Sequence, residues 1–266
     1  MNTKVNVTRA EGIAHVQLNR PDRHNALDWD MFLALDEAAS ALQSDRSLRV
    51  VVISGAGPSF CSGLDYPAMQ AHPDAFRLGF AREAGVEANL FQRAGWAWKR
   101  LPVPVIAAVH GACFGGGIQI ALGADIRLAH PEARLSVMEI KWGLIPDMSA
   151  SLTLRELVRA DVAKELVYTG KIVSGTGAAE LGLVTRLAAD PLAEAMALAH
   201  QIAEKNPDAI RRGKRLLDAN WAEPDAEQAL LREQEEQTPL LGSPNQLEAA
   251  RAALSKTPAR FADPSC

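Results

Sequence analysis

The chain of 266 residues has few cysteines, few aromatic residues and no excess of positive charge. The three cysteines, Cys61, Cys113 and Cys266, are too few for a disulfide framework and are typical of a reducing compartment, so we expect a cytoplasmic protein. A net charge of −4 with scattered basic residues argues against nucleic acid as a partner. No apolar run reaches the length of a membrane span, so we expect no membrane partner either.

Phosphate-loop and metal motifs are also missing. The segment GACFGGGIQ at residues 111–119 lacks the Gly-Lys-Ser/Thr ending of a nucleoside-triphosphate site and the spaced glycines of a dinucleotide site. His24, His72 and His110 follow no metal-ligand spacing, so we expect them to pack or to lie at the surface. No metal or separate cofactor is therefore expected.

The composition that remains is that of an ordinary globular protein, with 48% hydrophobic and 23% charged residues. Strand and helix patterns alternate through about the first 130 residues, which predicts an α/β fold, and the chain after residue 147 is mostly helical. The individual predictions are a hairpin at residues 5–7 and 13–18, a helix at 28–42 capped by Asp28, an irregular stretch at 66–74, a helix at 75–100, and strands at 49–54, 105–109, 126–129 and 135–137.

Two turns of small residues each follow an apolar strand pattern. The three glycines of residues 115–117 let the backbone approach a ligand, and the first N–H groups of the following helix have no intrahelical partner. A second turn, FCSGLD at residues 60–65, follows another buried strand. Two such turns can each direct one N–H donor at a single oxyanion. The simpler alternative is close packing between helix and strand.

Two carboxylates in MEIKWGLIPD, Glu139 and Asp147, are candidates for proton transfer next to a carbonyl group. Gly143 and Pro146 argue against a continuous helix between them, so we expect Glu139 at a strand end and Asp147 on a loop. The alternatives are surface charges or, for Asp147, a cap of a helix that begins near Ser149.

Five segments in this order resemble the crotonase (enoyl-CoA hydratase/isomerase) superfamily over nearly the whole chain. They are LNRPDRHNALD at residues 18–28, FCSGLD at 60–65, PVIAAVHGACFGGGIQIALGADIRLA at 104–129, MEIKWGLIP at 138–146 and GLV at 182–184. The resemblance implies a spiral of ββα units followed by a helical trimerisation region, with a core domain at 1–195 and a C-terminal helical region at 196–266. It also implies a homotrimer or a dimer of trimers.

The same resemblance implies a coenzyme A thioester as substrate, with no cofactor beyond the coenzyme A that the substrate carries. The thioester oxygen would accept hydrogen bonds from the backbone N–H groups of Leu64 and Gly116. The residues implied to contact coenzyme A are Arg23, Ala26, Ser62, Asp65, Lys256 and Phe261, the last two in a neighbouring subunit.

The acidic positions of the family decide the type of reaction. Similar hydratases have glutamates at the positions of Gln119 and Glu139, and Gln119 cannot ionise. Similar isomerases that shift one double bond keep only the glutamate at position 139. Similar dienoyl-CoA isomerases keep that glutamate and an aspartate at position 147, but they also carry an aspartate at position 119. We therefore expect enoyl-CoA or dienoyl-CoA isomerisation through a thioester enolate.

Three other functions remain open from the sequence. Hydration with Glu139 as the single catalytic carboxylate is one alternative. A second is dehalogenation or thioester hydrolysis with Asp147 as the nucleophile, and the third is acyl-CoA binding without catalysis. Cys61 and Cys113 have no evident base beside them and are expected to be small buried side chains, while Trp96, Trp98 and Trp142 either pack in the core or line an acyl pocket.

Overall fold

The computed structural model describes residues 4–82 and 84–265, so Cys266 lies outside the described residues. Nine strands occur in the described residues: β1 (Val5–Ala10), β2 (Ile13–Leu18), β3 (Val50–Gly55), β4 (Val105–Val109), β5 (Ala112–Phe114), β6 (Ile126–Ala129), β7 (Arg134–Ser136), β8 (Val173–Ser174) and β9 (Arg186–Leu187). Twelve helices accompany them in the same part of the chain: α1 (Trp29–Gln43), α2 (Tyr66–Gln70), α3 (Ala75–Phe80), α4 (Leu90–Arg100), α5 (Gly116–Leu122), α6 (Ala150–Leu157), α7 (Ala160–Thr169), α8 (Gly175–Leu181), α9 (Pro191–Ala203), α10 (Pro207–Asn220), α11 (Ala226–Gln237) and α12 (Pro244–Ser255). This content confirms the α/β class.

The strands form two sheets that the chain visits in alternation. The larger sheet has the order β1-β2-β3-β4-β6-β9, antiparallel between β1 and β2 and parallel elsewhere. The smaller sheet has the order β5-β7-β8. After β4 the chain therefore moves to β5 in the smaller sheet, returns to β6, and moves again to β7. The glycine turn begins directly after β5, at residue 115.

The central strand β3 is buried on both faces, which explains its uninterrupted apolar sequence. Val51 and Ile53 face the main core beneath α1, α4 and α5. Val50 and Val52 face a second apolar cluster, which α9 covers with Ala195 and Ala199. Because small alanines let α9 lie close to the sheet, the strand is enclosed by helices on each side, as is usual for parallel sheets.

The strands predicted at 49–54, 105–109 and 126–129 are confirmed within one residue, the opening hairpin is confirmed with β1 three residues longer than predicted, and the chain after residue 147 is mostly helical as expected. The predicted cap of α1 is also confirmed, because the Asp28 carboxylate accepts a hydrogen bond from the N–H of Met31 over 2.9 Å. The predicted continuous helix at 75–100 is wrong. Helix α3 ends at Phe80, and α4 begins only after Asn89, whose side chain forms a reciprocal capping box with Gln92.

Other predictions near the site also need correction. The stretch at 66–74 is not wholly irregular, because it contains α2. Glu139 does not end a strand: β7 stops at Ser136, and Glu139 begins a 3₁₀ turn over Glu139–Trp142. Asp147 lies on the predicted loop but does not cap the next helix, whose N-cap residue is Ser149. The short strands β5, β8 and β9 are additional to the elements that the sequence predicts.

The C-terminal helices fold back onto the body of the same chain. The guanidinium of Arg211 on α10 donates to the carbonyl of Leu48, and the ammonium of Lys214 pairs with Asp125 over 2.7 Å. The end of the chain is held in the same way, since Ser265 hydrogen-bonds to Asp208. The proposed division at residue 195 lies inside α9 and stays a prediction, as does trimerisation. Among the described residues no helix is long and apolar enough to cross a membrane.

Candidate active site

The two small-residue turns meet where β5 pairs with the start of the FCSGLD segment. The N–H of Cys61 donates to the carbonyl of Ala112 over 3.0 Å, and the N–H of Phe114 donates to the carbonyl of Cys61 over 3.0 Å. The approach requires glycine at two positions: a Cβ on Gly63 would lie 2.8 Å from the Phe114 carbonyl oxygen, and one on Gly117 would lie 2.3 Å from the Cys61 carbonyl oxygen. The glycines thus bring the two backbones together.

The backbone N–H groups of Leu64 and Gly116 lie on these adjoining turns. Gly116 is the first residue of α5, so its N–H has no intrahelical acceptor. Within residues 4–82 and 84–265 no acceptor takes the N–H of Leu64 either, although the neighbouring Asp65 N–H donates to the carbonyl of Leu27. Two backbone donors are therefore available at this place for an oxygen of a bound molecule.

Glu139 lies beside the same turn. A Cβ on Gly115 would be 3.5 Å from the Glu139 Oε1 atom, so the carboxylate borders the glycine backbone directly. The side chain is only 9% exposed, and its Oε1 accepts a hydrogen bond from Gln119 Nε2 over 2.6 Å. Glu139 Oε2 has no hydrogen-bond partner among the described residues. One carboxylate oxygen is thus held in place, while the other is buried without a partner among the described residues.

Both candidate acids have raised pKa values. Burial is the main cause of the raised pKa of Glu139, and the negative charge of Asp147 raises this pKa further. Hydrogen bonds from the Glu139 backbone and from Gln119 lower the pKa, but it stays above its ordinary value. Burial also raises the pKa of Asp147, although a backbone hydrogen bond opposes it. Buried carboxyl groups with raised pKa values are suited to proton transfer near neutral pH.

Four of the six residues expected to contact coenzyme A lie together at one side of this site. Ser62 joins the loop of Arg23, since its N–H donates to the His24 carbonyl over 2.9 Å and its hydroxyl to the Arg23 carbonyl over 3.4 Å. Arg20 links the other two of these four residues, Ala26 and Asp65, because its guanidinium donates to the Ala26 carbonyl and to the Asp65 carboxylate.

The Asp65 carboxylate is already engaged within the chain. It pairs with Arg20 over 2.7 Å and accepts from the Ala68 N–H at the start of α2. Burial raises the pKa of Asp65, but these hydrogen bonds outweigh it and bring the pKa below its ordinary value. Asp65 therefore stabilises the turn that presents Leu64.

Lys256 and Phe261 lie in the C-terminal tail. Lys256 follows α12 in a left-handed conformation with φ of 53°, and its side chain is exposed. After Phe261, Asp263 pairs with Arg49 over 3.0 Å on the same chain. No contact within the described residues joins Lys256 or Phe261 to Leu64, Gly116 or Glu139. Their contact with coenzyme A in a neighbouring subunit stays a prediction.

The remaining sequence candidates have mainly structural surroundings. Burial raises the pKa of the Cys61 thiol to about 12, which disfavours the nucleophilic thiolate, and Cys113 is buried with it. Trp98 is fully buried, and its indole N–H donates to the Ala94 carbonyl. Trp142, by contrast, is exposed and stacks on Tyr66 with ring centroids 6.1 Å apart.

Ser149 is a residue of the site that the sequence did not indicate as such. It follows Asp147 closely, has φ of 80° in the left-handed region, and its buried hydroxyl has no partner among the described residues. Non-glycine residues adopt this conformation only when their surroundings hold them in it. No local pattern marks it, because the holding contacts come from distant residues.

Comparisons with known proteins agree with this architecture. A family model described as enoyl-CoA hydratase/isomerase matches residues 8–261. The mouse mitochondrial Delta(3,5)-Delta(2,4)-dienoyl-CoA isomerase is 32% identical over 221 residues, which are 79% of this chain and 67% of that protein. The hydroxycinnamoyl-CoA hydratase-lyase of Pseudomonas fluorescens is also 32% identical, over 79% of this chain and 76% of its own.

Solved structures resemble the chain over nearly its full length. An enoyl-CoA hydratase from Mycobacterium smegmatis superposes with a TM-score of 0.83 at 32% identity, covering 97% of this chain and 98% of the other. An enoyl-CoA hydratase from Bacillus anthracis reaches a TM-score of 0.88 at 26% identity, with 97% and 98% coverage. These matches confirm the fold that the sequence resemblance implies.

Proposed function

The chain belongs to the enoyl-CoA hydratase/isomerase family, and on that basis we propose that it moves carbon–carbon double bonds in enoyl-CoA or dienoyl-CoA thioesters. The observation that carries this proposal is the pairing of Glu139 with Gln119, an amide, at the position where similar hydratases have a second glutamate. A single buried carboxylate with one free oxygen is sufficient to move a proton between two carbon atoms, whereas Gln119 supplies no proton for the addition of water.

The proposed reaction begins with proton removal from the carbon next to the thioester carbonyl. Glu139 Oε2 takes this proton, and the electron pair moves into an enolate whose oxygen accepts hydrogen bonds from the N–H groups of Leu64 and Gly116. The same carboxyl group then returns the proton to the γ carbon, the double bond moves into conjugation with the carbonyl, and the enzyme regains its starting charge. No water is consumed.

Asp147 extends this chemistry to dienes. When a 3,5-dienoyl thioester becomes a 2,4-dienoyl thioester, the proton leaves carbon 2 and returns at carbon 6, which are too far apart for one small carboxyl group to serve easily. Asp147 is half-buried and has a raised pKa, and its charge acts on the pKa of Glu139, so a second acid stands near the base. We assign Asp147 the proton delivery at the distal carbon.

The test uses purified protein with matched 3-enoyl-CoA and 3,5-dienoyl-CoA substrates. Formation of the conjugated product is followed by its ultraviolet absorbance, and loss of the crotonyl-CoA absorbance measures hydration in parallel. We expect isomerisation to exceed hydration by kcat/KM. Hydration that is faster than isomerisation across the series would overturn the proposal in favour of the alternative below.

Replacing Asp147 with asparagine is expected to separate the two isomerisations. Asparagine keeps the size of the side chain but delivers no proton, so kcat for the 3,5-diene should fall by about 10²-fold or more, whereas kcat for the 3-enoyl substrate should fall by less than about 10-fold. Steady-state rates with both substrates measure this difference. Equal losses on the two substrates would contradict a role for Asp147 at the distal carbon.

Hydration by Glu139 alone is the second candidate function, because several relatives and solved structures are named enoyl-CoA hydratases. In this reaction Glu139 Oε2 takes a proton from water while the water oxygen adds to the β carbon, and the same carboxyl group returns the proton to the α carbon. The third reading, with Asp147 as a nucleophile, predicts a covalent acyl-aspartyl species in a single turnover. Mass spectrometry of the quenched enzyme detects that species.

Further proposals concern the surroundings of the site. The cluster of Arg23, Ala26, Ser62 and Asp65 is proposed as the contact surface for the nucleotide part of coenzyme A.

We also propose a homotrimer or a dimer of trimers, in which Lys256 and Phe261 reach a neighbouring subunit. The molecular mass from light scattering tests this proposal. Cytoplasmic location stays a prediction, since the mouse relative is named as mitochondrial.

A further inference from the structure

The carboxamide of Gln119 makes three hydrogen bonds in the interior of the protein. The side chain is 1% exposed, and its Nε2 donates to Glu139 Oε1 over 2.6 Å. Its Oε1 accepts from the backbone N–H of Met148 over 2.8 Å and from that of Ala150 over 3.3 Å. The reverse orientation would place oxygen against a carboxylate and an NH₂ group against two N–H donors, so the contacts allow only one orientation.

The two backbone donors flank the strained residue of the loop. Met148 and Ala150 lie on either side of Ser149, whose φ of 80° turns the chain so that both N–H groups point at one oxygen. The N–H groups on the two sides of a residue in such a turn can form a small concave site for a negatively polarised atom. Gln119 Oε1 occupies that site, and it thereby stabilises the backbone directly after Asp147.

We propose that Gln119 is a positioning residue that holds the Glu139 carboxylate and the Asp147 loop in one fixed arrangement. The catalytic consequence of this proposal rests on the proposed isomerase function, while the structural part does not. The carboxamide does two things that a carboxylate at this position would not do together. It donates a hydrogen bond to Glu139, and it accepts from the loop without adding a negative charge.

The hydrogen bond from Gln119 also has an electrostatic effect. A donor to the charged form of a carboxyl group favours that form, so Gln119 opposes the rise in the pKa of Glu139 that burial and Asp147 cause. Among the described titratable groups, Asp147 is the one whose charge acts on Glu139. A glutamate at position 119 would add a second like charge and would raise the pKa of Glu139 further.

Two variants separate the donor from the acceptor. Gln119→Met keeps a similar volume and removes both functions. Gln119→Glu keeps the acceptor for Met148 and Ala150 and replaces the neutral amide donor with a carboxyl group that donates to Glu139 only when it is protonated. We expect kcat for isomerisation to fall by about 10- to 100-fold in each, as for loss of a hydrogen bond to a charged group, with KM changed by less than about 3-fold. The acid limb of the pH profile should move to higher pH in Gln119→Met, because the hydrogen bond that opposes the raised pKa of Glu139 is lost, and it should move further in Gln119→Glu, because the second carboxyl group adds a like charge.

Gln17→Met is the control, because Gln17 is a half-buried glutamine in β2 of the larger sheet. We expect this variant to keep the wild-type kcat and pH profile. If Gln119→Met lowers only the thermal stability and leaves kcat and the pH profile unchanged, Gln119 is merely a packing residue and the proposal is wrong. Gln119→Glu supplies the same test if Gln119→Met does not fold.

The titration of Glu139 itself separates this proposal from the proposed function. The ¹³C resonance of its side-chain carboxyl, assigned by its loss in Glu139→Gln, is followed with pH in the wild type and in the variants at position 119. An upward shift in the variants supports the positioning role even if the wild type hydrates rather than isomerises. An unchanged titration overturns it, even if the wild type is an active isomerase.

Discussion

Replacing Glu139 with glutamine should lower kcat for isomerisation by about 10²–10⁴-fold, the usual contribution of a positioned general acid–base. Glutamine has nearly the same shape, and its carbonyl oxygen can still accept the hydrogen bond that Gln119 donates to Glu139 Oε1 in the native enzyme. The variant lacks a group that takes the α proton, so the effect is on the chemical step. Rates at saturating substrate, compared with the wild type, measure it.

The pH dependence of both proteins supplies the control. Because the pKa of Glu139 is raised by burial, the wild-type rate should increase with pH through a value above that of an ordinary glutamate, as the base becomes ionised. The Glu139→Gln variant should lack this limb. Activity close to that of the wild type in the variant, at any pH, would mean that another group moves the proton.

The Glu139→Gln variant, which is expected to lose activity, is expected to keep or gain stability. A carboxyl group whose pKa is higher in the folded than in the unfolded state makes folding less favourable as pH rises from its ordinary pKa through the raised one. Glu139→Gln removes this penalty, so its thermal midpoint at neutral pH should equal or exceed that of the wild type. This is the usual conflict between a buried catalytic charge and stability.

The second large effect is expected from Gly117→Ala. A Cβ at this position would lie 2.3 Å from the carbonyl oxygen and 2.8 Å from the Cβ of Cys61, and backbone atoms cannot simply rotate away. The start of α5 must therefore move away from the FCSGLD turn, which separates the N–H groups of Leu64 and Gly116. Loss of one oxyanion donor costs about 10²–10³-fold in kcat, and overpacking costs about 1–3 kcal/mol of stability.

Gly213→Ala is the matched control for that variant. Gly213 lies in α10, and a Cβ there would meet nothing within 4 Å. Alanine in a helix interior is expected to raise stability by about 0.5–1 kcal/mol, with no effect on catalysis. Kinetics and thermal unfolding of both variants test the pair. An unchanged kcat in Gly117→Ala would show that the close approach of the two turns is not needed for the reaction.

Much of the fold follows from local patterns along the chain. The hairpin, α1 with its Asp28 cap, and the C-terminal helices are each set by periodicity and by turn or cap residues that lie within a few positions. The predicted helix at 75–100 failed for a local reason as well. The Asn89 and Gln92 capping box is a start signal in the sequence, and it begins a new helix at Leu90.

The contacts of the candidate site depend on longer distances in sequence. Gln119 and Glu139 are 20 residues apart, and Gln119 and Met148 are 29 apart, yet hydrogen bonds join all three. Neither the donor direction of the Gln119 amide nor the strained backbone of Ser149 has a local cause. Both result from the packing of α5 against the loop that carries Asp147.

The sequence by itself determined the α/β class and the family. It also determined the two glycine turns, because glycine is required where the backbones approach as closely as they do at Gly63 and Gly117. It also determined that position 119 holds no acid. Only the tertiary structure decided what the amide does there. Burial makes each hydrogen bond of Gln119 specific in direction, and the distant chain segments that meet around it leave one oxygen of Glu139 without a partner among the described residues.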